Sequence, residues 1–116
     1  MAYDEGLAER IRETLAEAHG ISERKMFGGL AFMLRGNMFV GVVGGTLMAR
    51  VGPDGYGAAL RRPHAREMDF TGRPLKGYVY VDELVTAKYS ALAKWVAACR
   101  NYAATLPPKR AKSARP

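Results

Sequence analysis

The sequence has few of the features that mark secreted, membrane or metal-binding proteins. Cys99 is the only cysteine among 116 residues, which excludes an intrachain disulfide and a zinc site built from several cysteines. No apolar run reaches membrane-spanning length, and the acidic start MAYDEGLAER is unlike a secretory signal. No segment repeats at a fixed period. We therefore expect one compact domain that resides in the cytoplasm, with no membrane contact.

Basic residues outnumber acidic ones by 18 to 11, which gives a formal net charge of +7. Such cations attract phosphate backbones without reading sequence, so non-specific contact with DNA is one expected activity. The competing interpretation is a basic tail that serves solubility alone. The expected phosphate contacts in the tail are Lys109, Arg110, Lys112 and Arg115.

The first part of the chain has the periodicity of an amphipathic helix. Leu7, Ile11 and Leu15 recur every four residues, which predicts a helix over 4–18 that Gly20 ends. Four glutamates at the same spacing form an acidic ridge, which we interpret as a solvated face. The ridge consists of Glu5, Glu9, Glu13 and Glu17.

An alternating pattern then predicts an antiparallel meander. Apolar residues alternate over 26–34, and the hairpin signals Gly36-Asn37 and Gly44-Gly45 delimit two further strands over 38–43 and 46–51. One face of the meander should pack against helices. The first strand is apolar on both sides, so its second face is either covered or belongs to an interface, such as that of a homodimer.

The rest of the chain predicts fewer regular elements. Pro and Gly are frequent between Pro63 and Gly77, which indicates a loop with a brief strand near 68–70. The remaining predicted elements are a short helix that starts at Gly52-Pro53 and ends before Pro63, a strand over 78–81, and a last helix that starts between 82 and 90 and ends before Pro107.

Residues with catalytic or ligating chemistry are scattered along the chain. Cys99 lies on the apolar stripe of the last helix, where a free cysteine acts as a small core residue. His19 and His64 lack a second ligand at a metal-binding spacing. We therefore predict no catalytic residue, no cofactor and no metal. An enzyme would need one pocket that gathers His64, Asp69, Arg73 and Tyr78 or Tyr80.

Three motifs together resemble one family. K-M-F-G-G-L-A-F over 25–32, R-V-G-P over 50–53 and M-D-F-T-G-R-P-L-K-G over 68–77 are similar to the N-terminal domain of the TfoX/Sxy family. The resemblance implies a two-layer α+β domain of secretion-chaperone-like type, an antiparallel sheet with helices packed on it. This domain is expected over residues 1–108, and residues 109–116 form a basic disordered tail.

The same resemblance implies a role in natural competence and transcription, in which family members act as co-activators beside a DNA-binding regulator. We therefore expect a non-enzymatic regulatory module that binds a protein partner of this kind and contacts DNA non-specifically. The alternative is a chaperone-like or scaffold homodimer with no nucleic-acid role. The candidate interaction surface comprises Arg24, Lys25, Arg61, Arg62, Arg66, Arg73 and Lys76.

Overall fold

Residues 3–26, 28–70 and 72–109 are described by a computed structural model of the chain. They form an open six-stranded antiparallel sheet with helices packed on it, so the predicted α+β class is confirmed. The strands are β1 (Ile21–Met26), β2 (Gly29–Leu34), β3 (Asn37–Val43), β4 (Thr46–Arg50), β5 (Ala65–Phe70) and β6 (Arg73–Val81). The helices are α1 (Glu5–Thr14), α2 (Gly52–Leu60), α3 (Glu83–Thr86) and α4 (Tyr89–Ala104).

The sheet has the strand order β1-β2-β3-β4-β6-β5, which makes β1 and β5 its two edge strands. The meander β2-β3-β4 is confirmed, and its second turn lies at Gly44-Gly45 as predicted, between the paired residues Val43 and Thr46. The first turn is centred on Arg35-Gly36, one residue before the predicted position, because Asn37 already pairs with Leu34.

Helix α1 starts and ends through local hydrogen bonds. The Asp4 carboxylate accepts bonds from the backbone N–H groups of Gly6 and Leu7 at 2.8 and 3.2 Å, which caps the N-terminus. At the other end the Thr14 hydroxyl donates to the Ile11 carbonyl at 2.7 Å. The backbone then changes to bonds three residues apart, from the Leu15 N–H to the Arg12 carbonyl, and the helix stops at Thr14, four residues before the predicted end.

The single strand predicted over 26–34 is wrong. The chain turns back between Met26 and Gly29, which pair with each other, and Gly28 takes a positive φ of +73° in the connection. The apolar alternation continues through this turn, so the pattern alone did not reveal the turn. The polar segment before Met26 forms the exposed edge strand β1, which has little apolar periodicity to signal it.

The loop predicted between Pro63 and Gly77 is also wrong, because most of this stretch forms the β5–β6 hairpin. Its residues are largely exposed at the edge of the sheet, so they lack the apolar pattern of a buried strand. Gly77 has a φ of +94°, and its carbonyl accepts a hydrogen bond from the Val51 N–H at 2.8 Å, which fixes the end of β4 against β6.

One hydrophobic core lies between the sheet and the helices, and we call this side of the sheet the inner face. Its largest member is Trp95 of α4, which is 1% exposed, and α1 contributes Leu7 and Ile11. The inner face contributes Leu30, Phe32, Val40, Val42, Leu47, Ala49, Val79 and Val81. Within the described ranges, no helix combines the length and apolar composition needed to cross a membrane.

The segment after α4 returns to the turn between β2 and β3. Asn37, a buried residue, donates from Nδ2 to the Pro107 carbonyl at 2.8 Å. The Lys109 N–H donates to the Arg35 carbonyl, also at 2.8 Å. Lys109 is therefore held by the folded body, whereas Arg110, Lys112 and Arg115 lie outside the described residues.

Candidate functional site

The seven cations of the predicted interaction surface do not form one patch. Arg24 and Lys25 lie on edge strand β1, whereas Arg66 lies on the opposite edge strand β5. Five strand spacings of about 4.8 Å separate these edges, a distance of about 24 Å. Arg73 and Lys76 lie in the same β5–β6 hairpin as Arg66, with Arg73 about 13 Å along the strand from it, and Arg61 and Arg62 follow α2. All seven are exposed.

The charge is divided between the two ends of the sheet. Helix α1 carries three of the four glutamates of the acidic ridge, since it ends before Glu17, and it lies beside β1, where Arg12 Nε donates to Glu23 Oε2 at 2.7 Å. The other end carries a cluster of basic residues. Its acidic residues are Glu67 and Asp69, fewer than those of the acidic ridge. We call this cluster the basic end. It comprises Arg61, Arg66, Arg73 and Lys76.

The ion pairs of the described residues lie on the side of α1 and β1, away from the basic end. Among the described residues, the ion pairs join Arg12 to Glu9 and to Glu23, both at 2.7 Å. The bond from Arg12 lowers the pKa of the Glu23 carboxyl, and the two carboxylates raise the pKa of Arg12. None of the described cations of the basic end takes part in an ion pair of this kind.

Arg62 has a structural role that separates it from the other candidates. Its guanidinium lies 3.9 Å from the centroid of the Trp95 ring and covers the buried indole. Arg50 is similarly placed, between Tyr78 at 5.5 Å and Tyr102 at 5.7 Å, and donates to the Met38 carbonyl at 3.2 Å. These two guanidinium groups therefore help to hold the fold.

The side of the sheet opposite the helices, which we call the outer face, shows a continuous line of paired residues. Strand register aligns one residue from each strand across the full width of the sheet. Arg66 at one end of this line lies over Tyr80, 5.0 Å from the ring centroid. The line runs through Arg24, Ala31, Gly41, Met48, Tyr80 and Arg66.

Methionine is concentrated on the outer face. The chain has six methionines, and strand pairing places four of them on this side, Met38 through its pairing with Met33 at the register shift. Met68, at the register shift of β5, is 3% exposed yet lies outside the core cluster, which places it on the same side. The other four are Met26, Met33, Met38 and Met48.

Sequence reasoning expected a second apolar face on the first strand of the meander and missed its continuation onto β6, although the signal was present. Tyr78 and Tyr80 alternate with the core residues Val79 and Val81, which is the period of a strand with two different faces. A single strand over 26–34 would put Met26 on the same side as Leu30 and Phe32, and the turn at Gly28 puts it on the opposite side.

The groups named for an enzyme are not brought together. His64 precedes the first residue of β5, whereas Asp69 and Arg73 lie at the far end of the β5–β6 hairpin, about 16 Å along the strand. Cys99 is buried in the core, as predicted, and burial raises the pKa of its thiol to about 12. Across the described part of the chain, no group of three or more His, Cys, Asp or Glu residues is arranged to hold a metal ion.

The comparisons with known proteins identify one family. The family model described as the TfoX N-terminal domain matches residues 13–103, which is most of the chain and includes the whole sheet. The family consists of non-enzymatic regulatory domains. No curated protein and no solved structure matches the chain.

Proposed function

Because the chain belongs to the TfoX N-terminal domain family, we propose that it is a regulatory module of transcription that acts by binding and catalyses no reaction. It binds duplex DNA without sequence preference through the basic end and works beside a DNA-binding regulator in the cytoplasm. Natural competence is the process to which the family resemblance assigns it.

The separation of charge carries the DNA part of this proposal. The acidic ridge of α1 lies beside β1, and the basic end lies about 24 Å away across the sheet. A phosphate backbone is therefore attracted to one edge of the molecule and repelled from the other. Arg110, Lys112 and Arg115, which lie outside the described residues, add further positive charge to the chain.

Counterion release provides a direct test. We would titrate a fluorescently labelled duplex of mixed sequence with the full chain at several salt concentrations. The double variant Arg73→Glu/Lys76→Glu should weaken binding and reduce the slope of log affinity against log salt by about 2, because about one counterion is released per phosphate contact. Both residues are exposed, so the fold should be retained.

The matched control reverses the same charge at the opposite edge. Arg24→Glu/Lys25→Glu changes the net charge by the same amount, and its residues are equally exposed. We expect this variant to keep most of the affinity and the salt slope. Equal losses in both double variants would contradict the assignment of the contact to the basic end.

The contribution of the tail is measured with a chain that ends at Lys109. This chain keeps the hydrogen bond from the Lys109 N–H to the Arg35 carbonyl and removes Arg110, Lys112 and Arg115. Binding that survives with a smaller salt slope supports the proposal. Loss of all binding would reduce the DNA contact to the tail, and absence of binding by the full chain would reject direct DNA contact.

A further inference from the structure

We propose that the outer face of the sheet is a docking surface for an acidic amphipathic helix of a partner protein. The proposal rests on the proposed function as a binding module, and it specifies the chemistry of the protein partner. It concerns a different class of ligand and a surface that shares only Arg66 with the basic end.

The composition of the outer face is that of an interface centre. Its strand positions carry five methionines, two tyrosines and three arginines, and no Lys, Asp or Glu occupies a described outer-face position in the paired part of the sheet. Buried interface centres are enriched in Met, Tyr and Arg and depleted in Lys, Asp and Glu. Unbranched methionines also adapt their shape to a partner.

The charge on this face selects an acidic partner. Arg24 and Arg66 stand at the two ends of the line of paired residues and are both exposed. Because the face has no carboxylate at its described strand positions, an approaching ligand meets positive charge alone. Carboxylates on the partner complement this charge, whereas basic residues are repelled.

The dimensions of the face fit a helix. Arg24 and Arg66 lie on the two edge strands, about 24 Å apart, and a helix of about 16 residues spans that distance. Between them Ala31 and Gly41 have little or no side chain, and a Cβ on Gly41 would lie 2.7 Å from the Met48 methyl carbon. Ala31 and Met48 are fully buried, so the apolar surface open to a helix stripe is that of Met26, Met33 and Met38.

A second copy of the chain fits this face poorly. Two outer faces placed together would oppose arginines to arginines without a carboxylate to balance them. The acidic helix α1 of another copy is no substitute, because its apolar residues Leu7, Ala8 and Ile11 are already buried in its own core. The partner must therefore supply both an apolar stripe and acidic ends.

A synthetic helix serves as the probe. We would measure the fluorescence anisotropy of a fluorescein-labelled peptide of about 16 residues with a leucine stripe and glutamates at both ends, titrated with the full chain. The matched control peptide has lysine at every glutamate position. The glutamate peptide should bind at least about tenfold more tightly, because it replaces repulsion at both arginines by attraction.

The methionines report where the peptide binds. In a sample with isotope-labelled methionine methyl groups, the peptide should shift the NMR resonances of Met26, Met33 and Met38, the three that retain exposure on the outer face. Unchanged methionine resonances on binding would overturn the proposal. So would resonances that change with protein concentration alone, because they would show that a second copy occupies the face.

Substitutions separate this proposal from the DNA proposal. Arg24→Glu should lower the affinity for the glutamate peptide at least about fivefold and leave the affinity for DNA nearly unchanged. Lys94→Glu, on an exposed position of α4, should leave the peptide affinity as it is. Arg73→Glu/Lys76→Glu should affect DNA and spare the peptide. Equal affinity for both peptides, or no effect of Arg24→Glu, would reject the docking surface even if DNA binding is confirmed.

Discussion

At the scale of single residues, Arg62 shows how an exposed cation can belong to the core. Its guanidinium covers the ring of Trp95, the one tryptophan of the chain, at 3.9 Å. In sequence Arg62 belongs to the same cationic run as Arg61 and Arg66, and this run suggested phosphate contact for all three. Only the position of Trp95 beneath it distinguishes the role of Arg62 from theirs.

Replacement of Arg62 by alanine should therefore expose the indole. We expect Arg62→Ala to shift the Trp95 fluorescence to longer wavelength and to lower the free energy of unfolding by about 1 kcal/mol, the size of a partly desolvated cation–π contact. Arg61→Ala is the control, since this substitution removes the same charge and leaves the contact of Arg62 with the indole in place. An unchanged emission spectrum for Arg62→Ala would contradict the assigned contact.

At the scale of secondary-structure elements, Arg12 joins α1 to β1. Its side chain contacts Glu23 at 2.7 Å, so an edge strand with little buried surface is tied to the helix that packs on α4. The polar sequence of β1 gave no reason to expect this strand. Its pairing with β2 and the ion pair to α1 depend on elements that lie apart in sequence.

Glu23→Gln should weaken this connection in a pH-dependent way. The pKa of Glu23 is lowered below its ordinary value of 4.5, so its contribution to stability is present above that value and disappears as the pH falls through the lower folded-state pKa. Near neutral pH the variant should lose under about 1 kcal/mol, as is typical of a partly exposed pair.

The measurement is urea unfolding of both proteins across this pH range. The difference in the free energy of unfolding should shrink as the pH falls below about 4, because the carboxyl takes up a proton first in the unfolded chain and then, at its lower pKa, in the folded one. Glu13→Gln is the control on α1, because Glu13 is exposed and forms no ion pair among the described residues. A difference that stays constant with pH would contradict the role of the charged pair.

At the scale of the whole molecule, the segment after α4 closes the fold against the β2–β3 turn. The bond from Asn37 to the Pro107 carbonyl links residues 70 positions apart, and the bond from Lys109 to Arg35 lies beside it. This contact lies at the last part of the chain that the structure describes. A truncated chain must therefore keep Lys109 if this hydrogen bond is to be retained.

Asn37→Ala should loosen this closure. We expect the free energy of unfolding to fall by about 1–2 kcal/mol, because the Pro107 carbonyl loses its donor. Amide hydrogen exchange at Lys109 should accelerate in the same variant. Asn101→Ala, at an exposed position of α4, is the control. Unchanged exchange at Lys109 would show that the segment is held by other contacts.

Sequence periodicity predicted the parts of this protein in which burial repeats regularly. The stripe of α1, the meander from β2 to β4 and the stripe of α4 with Cys99 all follow from apolar spacing, and the motifs at 25–32, 50–53 and 68–77 led to the correct family. Edge strands escaped prediction because they bury little surface on either face. The turn at Gly28 was not predicted because apolar residues continue on both sides of it.

The sequence by itself determined the class of the fold, the absence of a disulfide and the excess of positive charge, since each depends on composition or on spacing between near neighbours. Tertiary structure alone decided how the cations are grouped, because strand order places Arg24 and Arg66 on opposite edges. It also decided that five of the six methionines share one face. Register between distant strands sets that arrangement, and no local interaction encodes it.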